Sequence, residues 1–157
     1  MTQRRDTSFD GMIPELPHWN DGQGIDVDDW IGAIGRHDHA IGYSRVFWPE
    51  FVLHDGCLLR AGFSPVSYAA FLEKADGDRR AVEAVMNHQH IADMLMGQFN
   101  NGEAVTREQV VYVGRVLKEM WAAKLARDFP ELRVVVSFSE EDCDEILDYQ
   151  ITVYQES

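Results

Sequence analysis

The stretch that decides the fold is Phe47 to Phe63, FWPEFVLHDGCLLRAGF. Pro49 has no backbone N–H to donate and pushes Trp48 out of the helical basin, so a helix arriving from residue 27 is expected to end by about Phe47. Beyond it, Phe51–His54 and Cys57–Arg60 flank Asp55-Gly56, a pair that accepts the positive φ of a type I′ turn. The spacing predicts a two-residue hairpin in which His54 faces Cys57, Leu53 faces Leu58, Val52 faces Leu59 and Phe51 faces Arg60.

Toward the N-terminus, residues 1–25 carry Gly11, Pro14, Pro17, Gly22 and Gly24 among polar side chains and read as a loop-rich leader to a single domain over 26–157. Asp26 is placed to cap a helix from Val27 to Phe47, with Asp28 and Asp29 in its first turn. Its apolar stripe is thin: Trp30, Ile34, His37, Ile41 and Arg45, weakened by Gly32, Gly35 and Gly42. Toward the C-terminus, Ser64-Pro65 opens a short helix to about Ala75, and Asp78 caps a longer one to about Met96, closed by Gly97. That third helix places Val85, His88, Ile91 and Leu95 on one face.

Thr106 and Gln109 have capping-box spacing for a fourth helix, Arg107 to Asp128, which stops before Pro130. Val110, Val113, Leu117, Met120, Trp121 and Leu125 form its apolar face, and Gly114 within that face is expected to let a neighbour approach closely. In the closing segment Leu132, Val134, Val136 and Phe138, then Leu147, Tyr149, Ile151 and Val153, alternate with mostly polar residues. This predicts a second hairpin over 132–154, one face apolar and one wet. The expected fold is α+β, with about four helices packed on one face of an antiparallel sheet of about four strands.

Composition narrows the function classes. At 157 residues, 45% hydrophobic and 26% charged, the chain has the makeup of an ordinary globular domain. Cys57 and Cys143 form neither a disulfide framework nor a zinc spacing, the first residues lack the apolar run of an export signal, and no 18 consecutive residues are apolar. A reducing cytoplasm is the expected compartment. The net charge is −13, with 13 acidic and 6 basic residues over 1–78, 6 and 7 over 79–129, and 8 and 1 over 130–157. Such a field repels nucleic acid and anionic lipid and speeds encounter with a basic protein partner.

No phosphate loop, nucleophile elbow, zinc-protease helix or EF-hand pattern occurs, so no catalytic residue and no cofactor is assigned. His54 beside Cys57 reads as buried packing, since free cysteine is among the most buried residue types. His37 and His39, and His88 and His90, are two apart, which on a helix points them about 200° away from each other; a metal site would need one from each helix, with His37, His88 and Asp93 or Glu83 as the candidate set. The densest feature is acidic: Glu140, Glu141, Asp142, Asp144, Glu145 and Asp148 crowd the connection between the last two strands. With Tyr154 beside them as an aromatic anchor, they form the candidate binding surface.

In the FWPEFVLHDGC, AVEAVMNHQH and DYQITVYQE runs, the chain resembles a group of uncharacterised small acidic bacterial proteins, which implies a bacterial origin and supplies no functional residues. In size, acidity and α+β build it is also similar to bacterial immunity and inhibitor proteins that cap toxic enzymes. The leading expectation is an acidic protein-binding module of that type. A small metal-assisted hydrolase using His37, His88 and nearby carboxylates is the alternative, and a self-associating structural protein using the polar sheet face is the third.

Overall fold

The computed structural model describes residues 8–95, 104–140 and 143–156. The chain separates into two compact units whose boundary falls between Tyr43 and Ser44. In the first, a 3-10 turn at Leu16–His18 leads into α1, Trp19–Gly22, which is a turn more than a helix because Asn20 and Asp21 take φ of 53° and 54°. The helix expected over 27–47 is instead two, α2 at Val27–Ile34 and α3 at His37–Phe47. Asp26 caps α2 as predicted, its carboxylate accepting from the Asp29 N–H at 2.9 Å. The break comes at Gly35, which swings to ψ 145° and sits so close to Ile31 that a Cβ would lie 2.4 Å from its carbonyl oxygen. An extended residue between two helices resets their phase, so the stripe Trp30, Ile34, His37, Ile41 and Arg45 never forms, and no residue of α2 or α3 is buried.

The second unit takes in the end of α3 and then the hairpin. β1 (Phe51–His54) and β2 (Cys57–Arg60) pair in the register read from the sequence, around Asp55 at φ 50° and Gly56 at φ 80°. Alternation along β2 sends Cys57 and Leu59 into a small core with Tyr68 and Val82, and Leu58 into the main core with Phe51, Trp121, Ile151 and Val153. α4 (Pro65–Lys74) and α5 (Arg79–Asn87) begin at Ser64 and Asp78, whose side chains accept from Ser67 and Ala81 N–H groups. α5 stops at Asn87 rather than near Met96. His88 turns extended, Gln89–His90 become β3, and Ile91–Met94 form the short α6; Gly97 lies outside the described residues.

α7, Arg107–Asp128, has the expected capping box and buries Val110, Gly114, Leu117, Trp121 and Leu125. Gly114 lies against Phe138, whose ring atoms would come within 2.2 Å of an added Cβ. β4 (Val134–Phe138) and β5 (Gln150–Gln155) pair antiparallel, with Val136 opposite Val153, and β3 joins the other edge of β5. The described residues therefore hold helices and two small antiparallel sheets, β1-β2 and β3-β5-β4, where one four-stranded sheet with about four helices was expected. None of their helices is long and apolar enough to cross a membrane.

What divides the sheet is α5. The outward groups of β2 and β5 do not meet each other; two buried polar side chains one helical turn apart take them both. Glu83, 1% exposed, accepts from Leu58 N at 2.7 Å, Gln155 N at 2.6 Å and Gln155 Nε2 at 2.5 Å. Asn87, fully buried, accepts from Arg60 N at 2.9 Å and donates to Leu58 O at 2.7 Å and Val153 O at 3.0 Å. Thr152 Oγ1 adds a bond to Ala84 O at 2.7 Å, and the Arg80 guanidinium lies 4.6 Å from the centre of the Tyr154 ring. The sheet face expected to be wet is thus partly covered by α5.

Two stability outcomes follow from this packing. Glu83→Ala strips the acceptor from one buried and one part-buried backbone N–H group, those of Leu58 and Gln155, and urea unfolding should record a loss of about 2–4 kcal/mol; a loss below about 1 kcal/mol would mean another group replaces the carboxylate. Gly114→Ala gains about 1 kcal/mol of helix propensity but drives a methyl into Phe138, so the balance should be a loss of about 1–2 kcal/mol. In a Phe138→Leu background the same substitution should cost less, a coupling that a double-mutant cycle measures directly.

Candidate functional site

The acidic connection between β4 and β5 is held from inside by the first turn of α7. The Thr106–Gln109 box fixes that turn: Thr106 N donates to Gln109 Oε1 at 2.8 Å and Gln109 N to Thr106 Oγ1 at 3.2 Å. Arg107 then reaches the connection, its Nη1 donating to Cys143 O at 2.7 Å and Tyr149 Oη at 3.1 Å, with its guanidinium 5.7 Å from the centre of the Tyr149 ring. Tyr149 is 1% exposed, and its own N–H closes the 3-10 turn Ile146–Asp148 onto Ile146 O at 3.4 Å. From the other side, Ile91 N donates to Tyr149 O at 2.9 Å and the His90 ring Nδ1 lies 2.5 Å from Leu147 O.

These ties engage backbone atoms and the tyrosine hydroxyl. Asp144, Glu145 and Asp148 are exposed, Asp148 also accepting from Glu145 N at 3.3 Å. Glu140 pairs with Arg115 at 3.0 Å in a half-exposed ion pair. Glu141 and Asp142 lie outside the described residues. Leu147 was expected in the core, yet it stands 58% exposed among the carboxylates, because the 3-10 turn interrupts the strand alternation before Tyr149. Tyr149 and Phe138 are buried, as the apolar alternation of the closing strands places them. Tyr154 is half-buried and belongs to another surface: six residues of extended chain carry it about 20 Å from Asp148.

The histidine candidates resolve differently. His37 opens α3 and is exposed; His88 is the extended residue after α5, not part of a helical stripe, and Asp93 is exposed on α6. Among the described residues no three His, Cys, Asp or Glu side chains gather so that they could hold a metal ion. Cys57 is fully buried, with the Tyr68 hydroxyl 3.8 Å from its Sγ and the His54 ring packed edge-on against Tyr68. Burial pushes the Cys57 thiol up from its ordinary value, which withholds the thiolate that a nucleophile needs. Burial likewise raises the Tyr68 phenol.

Leu147 and the pinning role of Arg107 were missed from sequence alone; the only signal was an arginine in the first turn of a well-capped helix, where a basic residue is not favoured by the helix dipole. The chain matches no protein-family model, and no curated protein or solved structure matches it.

Thiol labelling of the folded protein should modify the half-buried Cys143 and leave Cys57 untouched, with both reacting in urea. Rapid labelling that disappears in Cys57→Ser would restore a reactive thiol beside His54.

Proposed function

We propose that this chain is a protein-binding module of the immunity or inhibitor type, which docks a basic protein through the acidic connection ahead of β5. The observation that carries the reading is the division of labour in that segment. Over residues 143–149 its backbone is pinned by Arg107, Tyr149 and His90, while Asp144, Glu145 and Asp148 face solvent beside an exposed Leu147. A preorganised segment loses little conformational freedom on docking. Carboxylates at a rim speed encounter with an oppositely charged surface, and a central apolar residue supplies contact that slows departure. The net charge of −13 adds long-range attraction of the same sign.

The test takes a basic partner captured by the full chain and compares variants in binding kinetics. Asp144→Asn with Glu145→Gln should slow association several-fold at 0.01 M salt and much less at 0.1 M, where the Debye length has shrunk from about 30 Å to about 10 Å. Leu147→Ser should leave association alone and raise the dissociation rate roughly tenfold. Stability should move by no more than about 0.5 kcal/mol in either variant, since the changed side chains are exposed. Binding unchanged in both would remove this segment as the docking surface.

A further inference from the structure

On a helix His88 and His90 would point to opposite sides, but the structure gives them an extended backbone, with ψ of 142° at His88 and 125° at His90. Residues two apart on an extended chain share a face. The two rings lie 5.4 Å apart between centroids. Each Nδ1 sits against a backbone carbonyl, that of His88 2.6 Å from Val85 O and that of His90 2.5 Å from Leu147 O. A carbonyl oxygen has no proton to give, so in both rings Nδ1 carries the hydrogen, and the neutral imidazole then keeps its lone pair on Nε2. Fixing one ring nitrogen on a carbonyl while the other stays available is the arrangement that metal-bound histidines adopt.

The spacing agrees with a shared ion. With a metal–nitrogen bond of about 2.0–2.1 Å and the nitrogen about 1.1 Å from the ring centre, two imidazoles on one tetrahedral ion have centroids about 5 Å apart. We propose that His88 and His90 form a two-imidazole site for a borderline divalent transition-metal ion such as copper(II), nickel or zinc, with water completing the coordination. Imidazole nitrogens favour these ions over the hard cations magnesium and calcium. The site adjoins Leu147 and so lies beside exposed carboxylates that raise the local cation concentration. Because no third described His, Cys, Asp or Glu completes a cluster, binding is weaker than at a closed four-ligand structural site.

The metal-free full chain is titrated calorimetrically with copper(II), nickel and zinc salts in separate runs. One ion per chain is expected, tightest for copper(II), following the general order of divalent affinities. His88→Ala and His90→Ala should each weaken binding at least tenfold, whereas His39→Ala should change nothing. His90→Asn keeps a side-chain donor for Leu147 O, so loss of metal with an unchanged melting curve separates a ligand from a structural contact. The copper(II) adduct should show two coordinated nitrogens by electron paramagnetic resonance, and lowering the pH should release the ion because protons compete for both rings. Binding that survives His88→Ala and His90→Ala, or that is lost equally in His39→Ala, overturns the assignment.

Discussion

The structure of the second unit depends on a carboxylate and an amide that stand where a strand would otherwise be. β2 and β5 both turn ladder groups toward α5, and Glu83 and Asn87 satisfy Leu58 N, Leu58 O, Arg60 N, Val153 O and Gln155 N between them. Spaced by four residues, the two side chains project from the same face of the helix. A buried carboxylate is costly unless its oxygens are hydrogen-bonded, and here three N–H donors converge on it within 2.7 Å. The arrangement satisfies ladder groups that β2 and β5 turn toward α5 without pairing the two sheets, so these stretches offer no open edge to mispair. It also fixes the position of α5 more narrowly than its apolar contacts with Tyr68, Cys57 and Leu59 could do alone, because hydrogen bonds to fixed ladder positions tolerate no sliding.

Where local chemistry leaves one outcome, the sequence was readable. Asp55-Gly56 admits a tight reversed turn and little else, and the hairpin register follows from it residue by residue. The Thr106–Gln109 box and the alternation of Tyr149, Ile151 and Val153 were equally plain, and Gly114 marked a close approach whose partner, Phe138, only the fold could name. The failures share a cause, which is long-range competition for the backbone. AVEAVMNHQHIADM has a helical period throughout, yet pairing Gln89 and His90 with Ile151 and Gln150 and committing Asn87 to two strands ends the helix at residue 87. Nothing in a local window reports that β5 has a vacant edge. The break at Gly35 is subtler, since three glycines in a thin stripe predicted weakness without saying which would yield.

The candidate docking segment was legible as a charge cluster and illegible as a shape. Composition located the carboxylates, but it said nothing of which cation would answer them. The Arg107 guanidinium reaches the Cys143 carbonyl and the Tyr149 hydroxyl. The positive charge therefore organises the segment while leaving Asp144 and Glu145 exposed. Arg115 does the opposite at Glu140, where a direct ion pair at 3.0 Å diminishes one charge at the start of the segment. Two arginines of one helix, eight residues apart, thus act on the described part of the acidic run in different ways, Arg115 through an ion pair and Arg107 through a backbone carbonyl and a tyrosine hydroxyl.

The ordering of the docking segment traces back to the polar pair on α5. Asn87, bound to both strands, is the last residue of α5, and the chain leaves it extended at His88. Extension brings β3 onto β5, sets His88 and His90 on one face, and carries His90 to the Leu147 carbonyl while Ile91 N takes the Tyr149 carbonyl. Those two bonds hold the 3-10 turn that pushes Leu147 outward. The exposed leucine and the histidine pair beside it therefore depend on where one helix stops, and that stop falls at a buried asparagine more than fifty residues earlier in the chain than the segment it helps position.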